Sequence, residues 1–252
     1  LAWSENSSRG LPEIVATRAE RAGDGWRVSG EKTLVLGAGG ADAWLVSARD
    51  GDDIALFLIG ADATGVSLVS TPLHDGSAAA TMFFEDAPAR RVEGDGLAAL
   101  REGLSHAILA LCAELVGAME RSIEISAEYL RTRKQFGVTI GSFQSLQHRI
   151  ADMTAERELA RSMLLALLSS FENDDASTRA RMVGGAKAFV TGAARNVCGQ
   201  GIQLHGGMGM TEECAIGHYF KRAVVADLLF GGRTLHETAG AEALRTELAE
   251  TK

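Results

Sequence analysis

The sequence has few cysteines, fewer basic than acidic residues, and no long uninterrupted apolar run. Its three cysteines, Cys112, Cys198 and Cys214, are an odd number without metal-ligand spacing, and they indicate reduced thiols of an intracellular, cytoplasmic protein. Lysine and arginine number 25 against 33 acidic residues, a net charge of −8, which argues against non-specific binding to nucleic acid or an anionic membrane. No apolar run reaches membrane-spanning length without a charge or a glycine, and no signal peptide is visible.

The first 90 residues have the pattern of short β-strands separated by turns. Gly23–Gly25 is a hairpin turn signal, and further turn signals occur at Gly65 and Gly76. Strands are predicted over 16–22, 26–29, 32–36, 44–48, 54–59 and 81–84. Strands at this spacing predict a small antiparallel β-barrel or sandwich domain over residues 1–90.

After Pro88 the apolar residues recur every three or four positions, as is typical of helices. Leu104, Ile108, Leu111 and Leu115 mark one face of the first helix. Further helices are predicted over about 142–171, 178–202, 212–229 and 234–249. Long antiparallel helices joined by short turns predict a four-helix-bundle-like domain over residues 91–252, so the predicted fold class is α+β.

One segment between the first two helices, residues 131–153, combines cations, amides and an aromatic ring at a turn. It reads RTRKQFGVTIGSFQSLQHRIADM. Ser142 is predicted to cap the second helix, with Gln144 in its first turn, where unpaired backbone N–H groups favour anions. Such a corner suits a phosphate-bearing ligand. The alternative is an interhelical turn with a solvated basic rim.

A second, glycine-rich segment follows the third helix and reads QGIQLHGGMGMT over residues 200–211. These two segments, in this order and at this spacing, resemble the C-terminal domain of the acyl-CoA dehydrogenase family. The resemblance continues through the strand-rich segment before them. It implies a middle β domain and a helical bundle with FAD held between them, and a neighbouring subunit that completes the site. It also implies a helical domain before residue 1, which this sequence does not contain.

By this resemblance, one group of residues would contact FAD held by a neighbouring subunit. Arg133 would contact the pyrophosphate, because its planar fork can pair two phosphate oxygens. Gln144 would approach the adenosine end of the cofactor. The alternative for the glycine-rich segment is that it only ends a helix. The cofactor-binding residues that the resemblance implies are Arg133, Gln135, Phe136, Gln144, Gln203, Gly206 and Gly207.

The positions that would bind flavin within this chain's own β domain depart from the family pattern. Where the family has a loop like Thr-Glu-Pro-Gly-Ala-Gly-Ser, this chain has Ser4–Gly10, and Gly10 supplies no hydroxyl. Where the family has a Trp-Ile-Thr strand, this chain has Leu34–Leu36, which lacks the aromatic ring and the hydroxyl. These departures weaken the expectation that this chain binds an isoalloxazine ring itself.

The family's catalytic base is also missing, so no catalytic residue is predicted. The usual glutamate lies in a Tyr-Glu-Gly-Thr segment, and Gly231 takes its place here. The alternative base position of some relatives matches Ala107. Glu114, two turns further along the same helix face, could act as a base if it were buried with a raised pKa; otherwise it is a polar helix–helix or subunit contact. His106 and His236 lie near these positions, and structural histidines are the commoner case.

The residues that would contact FAD of a neighbouring subunit thus match the family pattern. The positions that would bind flavin within this chain depart from it. The resemblance therefore implies a non-catalytic subunit of a heteromeric acyl-CoA dehydrogenase, in a hetero-oligomer with two copies of each subunit. The catalytic partner would act on an acyl-CoA, by analogy a steroid side-chain CoA, and pass electrons to a separate acceptor. Two alternatives stay open. One is a homomeric dehydrogenase that uses Glu114 as base, and the other is a non-redox acyl-CoA-binding or assembly protein of the same fold.

Overall fold

The computed structural model describes residues 1–8 and 10–250, and the chain divides into two compact units, Leu1–Leu104 and Ser105–Lys252. The first unit contains a six-stranded sheet, and the second contains the helical bundle. The predicted α+β fold class is therefore confirmed. The sequence placed the change from strand to helix near residue 90; the last long strand ends at Arg91 and the first helix begins at Gly96.

The sheet of the first unit closes on itself as a small barrel. Its strand order is β2-β1-β3-β4-β6-β5, and an additional antiparallel pairing joins β2 to β6. The barrel interior is filled by apolar side chains from alternate positions, among them Val28, Val46, Phe57 and Met82, which are fully buried. The strands are β1 Arg18–Ala22, β2 Gly25–Leu36, β3 Ala43–Asp50, β4 Asp53–Gly60, β5 Val66–Pro72 and β6 Ala78–Arg91.

Three strand predictions were wrong in extent. The predicted strands 26–29 and 32–36 are one strand, β2, whose pairing with β6 is interrupted by irregularities rather than by a turn. The predicted strand 81–84 is part of the fourteen-residue β6, which continues through Pro88. Strand β5 was not predicted, because this edge strand has no buried positions and therefore no alternation of apolar and polar residues.

The helices of the second unit lie within a few residues of their predicted bounds. Helix α3 packs against α2, α4 and α5. The α1 helix is long and apolar enough to cross a membrane by length and composition alone, a property shared by the core helices of many bundles. Its residues Leu111, Cys112 and Leu115 are buried. The helices are α1 Gly96–Thr132, α2 Gln144–Asn173, α3 Ala176–His205, α4 Ala215–Leu228 and α5 Arg233–Glu250.

Candidate functional site

A two-residue hairpin turn between α1 and α2 carries the predicted cations and aromatic ring. Two short strands, β7 Lys134–Gln135 and β8 Val138–Thr139, pair antiparallel. The two turn residues, Phe136 and Gly137, have φ values of 55° and 81°, as in a type I′ turn. The left-handed conformation costs a bulky residue such as Phe136 roughly 1–2 kcal/mol. The turn directs the phenyl ring into solvent, where it is 89% exposed.

The hairpin is firmly attached to the end of α1. The backbone N–H of Arg133 donates to the carbonyl oxygen of Tyr129 at 2.9 Å, and the N–H of Ile140 donates to the carbonyl oxygen of Arg133 at 2.9 Å. Gly141 lies so close to Leu130 that an added Cβ atom would be 2.8 Å from its carbonyl oxygen. The backbone of Arg133 is therefore held in place, and its side chain is exposed.

The prediction that Ser142 caps the second helix is wrong. A short 3-10 turn over Ile140–Ser142 precedes α2, and the residue at the N-cap position is Phe143. The Ser142 hydroxyl instead donates to the carbonyl oxygen of Thr139 at 2.7 Å. Among the described residues no side chain at the cap position accepts a hydrogen bond from the start of α2. Gln144 is the first residue of α2, within the first turn as predicted, and it is exposed.

The glycine-rich segment ends α3 and leaves its backbone open. Gly206 is the C-cap residue with φ 59°, and a short 3-10 turn follows over Gly206–Met210. Gln203, Gly206 and Gly207 are exposed. Among the described residues, no atom lies within 4 Å of the place where a Cβ atom would stand at either glycine. A ligand could therefore approach this backbone closely, which fits the role that the resemblance implies.

Two side chains that the sequence analysis did not single out join the hairpin to the end of α3. The ring of Tyr129, one turn before Arg133, stacks on the imidazole of His205 with ring centroids 4.5 Å apart. The Tyr129 hydroxyl donates to the carbonyl oxygen of His205 at 3.5 Å. Tyr129 lies four residues before Arg133, a spacing that makes two residues neighbours on one face of a helix. This spacing was the sequence signal that could have identified Tyr129.

The antiparallel packing of α2 and α3 places the remaining candidates at the same end of the bundle. Arg149 of α2 donates to the side-chain oxygen of Gln200 of α3 at 2.6 Å. Because the two helices run in opposite directions, the start of α2 at Gln144 lies level with the end of α3, which contains Gln203. All seven predicted cofactor-binding residues are thus located at one end of the second unit.

In the first unit, the loop that the resemblance aligns with a flavin-binding loop contributes Glu5 to a buried ion pair with Lys32 of β2. The Nζ atom of Lys32 lies 2.7 Å from Oε1 of Glu5 and donates to the Ser47 hydroxyl at 2.9 Å. Glu5 also accepts hydrogen bonds from the backbone N–H groups of Ala16 and Thr17. Burial lowers the pKa of Lys32 to about 8, against the opposing effect of Glu5. For Glu5, burial alone would raise the pKa, but Lys32 and the backbone donor of Ala16 hold it below its usual value.

Two side chains at the end of β2, Leu34 and Leu36, stand where the resemblance places an aromatic ring and a hydroxyl. Leu34, in the left-handed region with φ 53°, is 49% exposed, and Leu36 is 38% exposed, whereas Val35 between them is buried. Two aliphatic side chains therefore face outward from β2 where the family has an aromatic ring and a hydroxyl. The side chains that β2 presents here are therefore aliphatic, and neither carries a hydrogen-bonding group. Arg9, within the loop, lies outside the described residues.

Glu114 is not the buried carboxyl that a catalytic base would require. Its two carboxylate oxygens accept from Nε and a terminal nitrogen of Arg222 at 2.6 and 2.8 Å, and its side chain is 46% exposed. This bidentate pair joins α1 to α4. The structure therefore places Glu114 in a polar helix–helix contact, as one of the two alternatives predicted, and its side chain lacks the burial that a role as base would require.

The two histidines near the expected base positions have structural partners. The His106 ring lies edge-on to Phe171 at 4.7 Å between centroids. The Nε2 atom of His236 lies 3.0 Å from the carbonyl oxygen of Phe230. Burial, followed by the charge of Lys187, lowers the pKa of His236. Gly231 beside it has φ 90°. Within residues 1–8 and 10–250, no group of three or more His, Cys, Asp or Glu side chains is placed to hold a metal ion.

Comparison with known proteins supplies the family context. Residues 94–244 match the model of the acyl-CoA dehydrogenase C-terminal domain. Acyl-CoA dehydrogenase FadE27 of Mycobacterium tuberculosis is 30% identical over 243 residues, which are 93% of this chain and 64% of that protein. The mitochondrial isobutyryl-CoA dehydrogenase of Bos taurus is 29% identical over 229 residues, 85% of this chain and 54% of that protein. The chain thus spans little more than half the length of this bovine relative.

Solved structures agree with the fold. A chain of the Tcur3481-Tcur3483 steroid ACAD G363A variant superposes with a TM-score of 0.88 at 31% identity, covering 98% of this chain and 67% of that chain. Butyryl-CoA dehydrogenase from Megasphaera elsdenii superposes with a TM-score of 0.89 over 96% of this chain and 67% of that chain, at 20% identity. The second likeness concerns the fold alone.

Proposed function

The chain belongs to the acyl-CoA dehydrogenase family, and we propose that it is a subunit of an FAD-dependent enzyme that dehydrogenates an acyl-CoA thioester between its α and β carbons. In this proposal the chain is not itself catalytic and completes the FAD site of a catalytic partner subunit in a hetero-oligomer. FAD, when bound, supplies the acceptor for the hydride that leaves the β carbon.

The proposal rests mainly on the arrangement at the open end of the bundle. The exposed guanidinium of Arg133 is held on a rigid hairpin, and the uncovered backbone of Gly206 and Gly207 lies at the same end. A cation and open backbone at one exposed end suit a dinucleotide that is held mainly by another chain.

Each residue would contribute by direct contact. Arg133 would pair two phosphate oxygens, which a planar guanidinium does better than an ammonium. The N–H groups in the first turn of α2, beside Gln144, favour anionic groups because the helix dipole is positive at this end. Phe136 would cover the dinucleotide with its exposed ring. The amides of Gln135 and Gln203 would complete the polar contacts.

The proton chemistry is assigned to the partner subunit. Gly231 and Ala107 carry no group that accepts a proton, and Glu114 is exposed and paired with Arg222. A carboxylate base of the partner would therefore remove the α proton. The outward-facing Leu34 and Leu36 support the same division, because neither can donate a hydrogen bond to a reduced flavin.

A steroid side-chain CoA is the proposed substrate class, and the reduced enzyme would pass its electrons to a separate acceptor in the cytoplasm. The support for the substrate class is the 31% identity with a chain of a steroid ACAD, a likeness that exceeds the 20% identity with butyryl-CoA dehydrogenase.

The absorbance spectrum of the purified protein tests the proposal. The chain is expressed alone, and also with a family member from the same genome that keeps the Trp-Ile-Thr strand and the Tyr-Glu-Gly-Thr glutamate. We expect a colourless protein alone and a yellow, active complex with the partner. A yellow protein that is active alone would support a homomeric dehydrogenase instead. A chain that never acquires flavin with any such partner would support a non-redox role.

A further inference from the structure

A fully buried lysine lies at the centre of the helical unit. Lys187 of α3 has no exposed surface, and its Nζ atom donates to the carbonyl oxygens of Ala226 at 2.9 Å and Asp227 at 3.2 Å. These carbonyls belong to the last turn of α4, where carbonyl groups have no N–H partner within the helix. The lysine therefore caps the C-terminus of α4 from inside the bundle, where a cation is also favoured by the helix dipole.

The charged and titratable groups that face Lys187 come from three other helices. They are Cys112 of α1, Asp227 of α4 and His236 of α5. The Asp227 carboxylate is already paired, because it accepts from the Thr191 hydroxyl at 3.0 Å and from Arg195 at 2.8 Å. Burial lowers the pKa of Lys187 to about 8, while Asp227 and Cys112 oppose that shift. Lys187 is therefore mostly protonated at pH 7.

The segment after α4 has an unusual backbone. Phe230 and Gly231 are both left-handed, with φ values of 59° and 90°. The imidazole of His236 holds the segment from the side, with Nε2 3.0 Å from the carbonyl oxygen of Phe230. The imidazole ring lies between Gly231 and Gly184. A Cβ atom added at Gly231 would lie 3.1 Å from Nε2, and one added at Gly184 would lie 3.5 Å from Nδ1.

The protonation of His236 follows from its partner. A carbonyl oxygen only accepts, so Nε2 carries the hydrogen. Burial and the nearby charge of Lys187 lower the pKa of His236, so the ring is neutral at pH 7 and its Nδ1 is unprotonated. The ammonium thus acts on the imidazole through its charge.

We propose that Lys187 is a positioning residue for the loop over residues 229–232, because its ammonium fixes the end of α4 and thereby the left-handed backbone of the loop and the imidazole of His236. A buried ammonium is costly to remove from water, and here its hydrogen bonds to the carbonyl oxygens of Ala226 and Asp227 offset that cost. These two hydrogen bonds tie the end of α4, and with it the start of the loop, to α3. This inference goes beyond the proposed function and does not depend on FAD.

The test compares Lys187→Met and Lys187→Gln with the wild-type chain. Lys221→Met is the matched control, since Lys221 lies on α4 and pairs with Glu212 near the surface. The pKa of His236 is measured from its imidazole NMR signals, assigned with His236→Gln. Amide hydrogen exchange is measured across the chain, and the free energy of unfolding is measured in urea.

We expect Lys187→Met to raise the pKa of His236, because a nearby like charge is removed. We expect exchange at residues 228–236 to become roughly tenfold faster or more, and to increase more there than elsewhere in the chain. The urea midpoint should also fall, because two buried carbonyl oxygens lose their donor. Lys187→Gln should show a smaller change in exchange, since its amide can still donate to a carbonyl, and Lys221→Met should show neither change. An unaltered pKa of His236 together with unaltered exchange would overturn the proposal. Failure of both Lys187 variants to fold would also overturn it, because a local role predicts folded proteins.

Discussion

Tyr129 and His205 stack with their ring planes 24° apart, and this contact joins the end of α1 to the end of α3. Nδ1 of His205 is in turn 2.8 Å from the carbonyl oxygen of Gly201, so the imidazole is fixed from both sides. The hairpin that carries Arg133 begins one turn after Tyr129. A ligand that contacts Arg133 would therefore contact a surface in which the end of α1 and the end of α3 are joined to each other.

Arg133→Ala is expected to remove FAD from the complex while the subunit stays folded. The guanidinium is exposed and contributes little to the fold, whereas charged hydrogen bonds to phosphate contribute about 1.5–3 kcal/mol, or roughly 10- to 100-fold in affinity. Flavin absorbance per complex and the elution volume of the complex measure the two effects. The matched control is Arg131→Ala, an exposed arginine on the last turn of α1, which should retain flavin. Full occupancy in the Arg133 variant would remove this residue from the site.

Phe136→Asn is expected to stabilise the chain and to weaken the FAD site at the same time. Asparagine accepts the left-handed conformation more readily than phenylalanine, so we expect a gain of about 0.5–1 kcal/mol in the free energy of unfolding. The loss of an exposed ring should lower flavin occupancy. Urea unfolding of the isolated chain and absorbance of the complex are the measurements. A less stable variant would show that the φ of 55° at Phe136 is not strained.

The fold was largely predictable, because the strands and helices that bury one face leave a regular apolar pattern. The edge strand β5 was missed because none of its residues is buried. The hairpin at Phe136 could not be recognised from its residues, since a phenylalanine is an unfavourable choice for a left-handed turn position. The Ser142 cap was wrong because a 3-10 turn moved the start of α2 beyond it.

Within the candidate site, sequence motifs identified residues but not the contacts that hold them. Glu5 and Lys32 are 27 positions apart, and their pairing depends on how the N-terminal segment lies against β2. Tyr129 and His205 are 76 positions apart and meet only in the folded bundle. Long-range pairs of this kind leave no periodic signal in one sequence.

Glu5→Gln is expected to destabilise the first unit by about 3–5 kcal/mol, because it leaves the buried ammonium of Lys32 without a counter-charge. The pH dependence follows from the lowered pKa of Glu5. The folded carboxyl binds its proton less readily than the unfolded one, so its stabilising effect is complete above the ordinary value of 4.5 and is lost as the pH falls through the lower folded value.

Urea unfolding of the wild type and Glu5→Gln between pH 3 and pH 7 tests this account. The difference between the two proteins should shrink as the pH falls. Glu20→Gln, on the exposed side of β1, is the control and should change the unfolding midpoint little at any pH. A difference that stays constant down to pH 3 would contradict the ionic role of Glu5.

Glu114→Gln is expected to leave dehydrogenation by the complex largely intact. The carboxylate is exposed and paired with Arg222, so its loss should cost less than about 1 kcal/mol of stability. In the partner, replacing the glutamate of the Tyr-Glu-Gly-Thr segment by glutamine should lower turnover by roughly a hundredfold to ten-thousandfold. If Glu114→Gln stops turnover while FAD and the assembly remain, this chain supplies the base.

The unequal burial of the three thiols makes the chain suitable for selective chemical labelling. Cys112 and Cys198 are buried, and burial raises the pKa of each to about 11, so almost no reactive thiolate forms near pH 7. Cys214 is a free thiol at the N-cap of α4 and is partly exposed, on the same cleft as Tyr129 and His205. A maleimide dye should add once, at Cys214, as mass spectrometry can verify. The fluorescence of that dye would then report the arrival of a partner subunit in the otherwise unaltered protein.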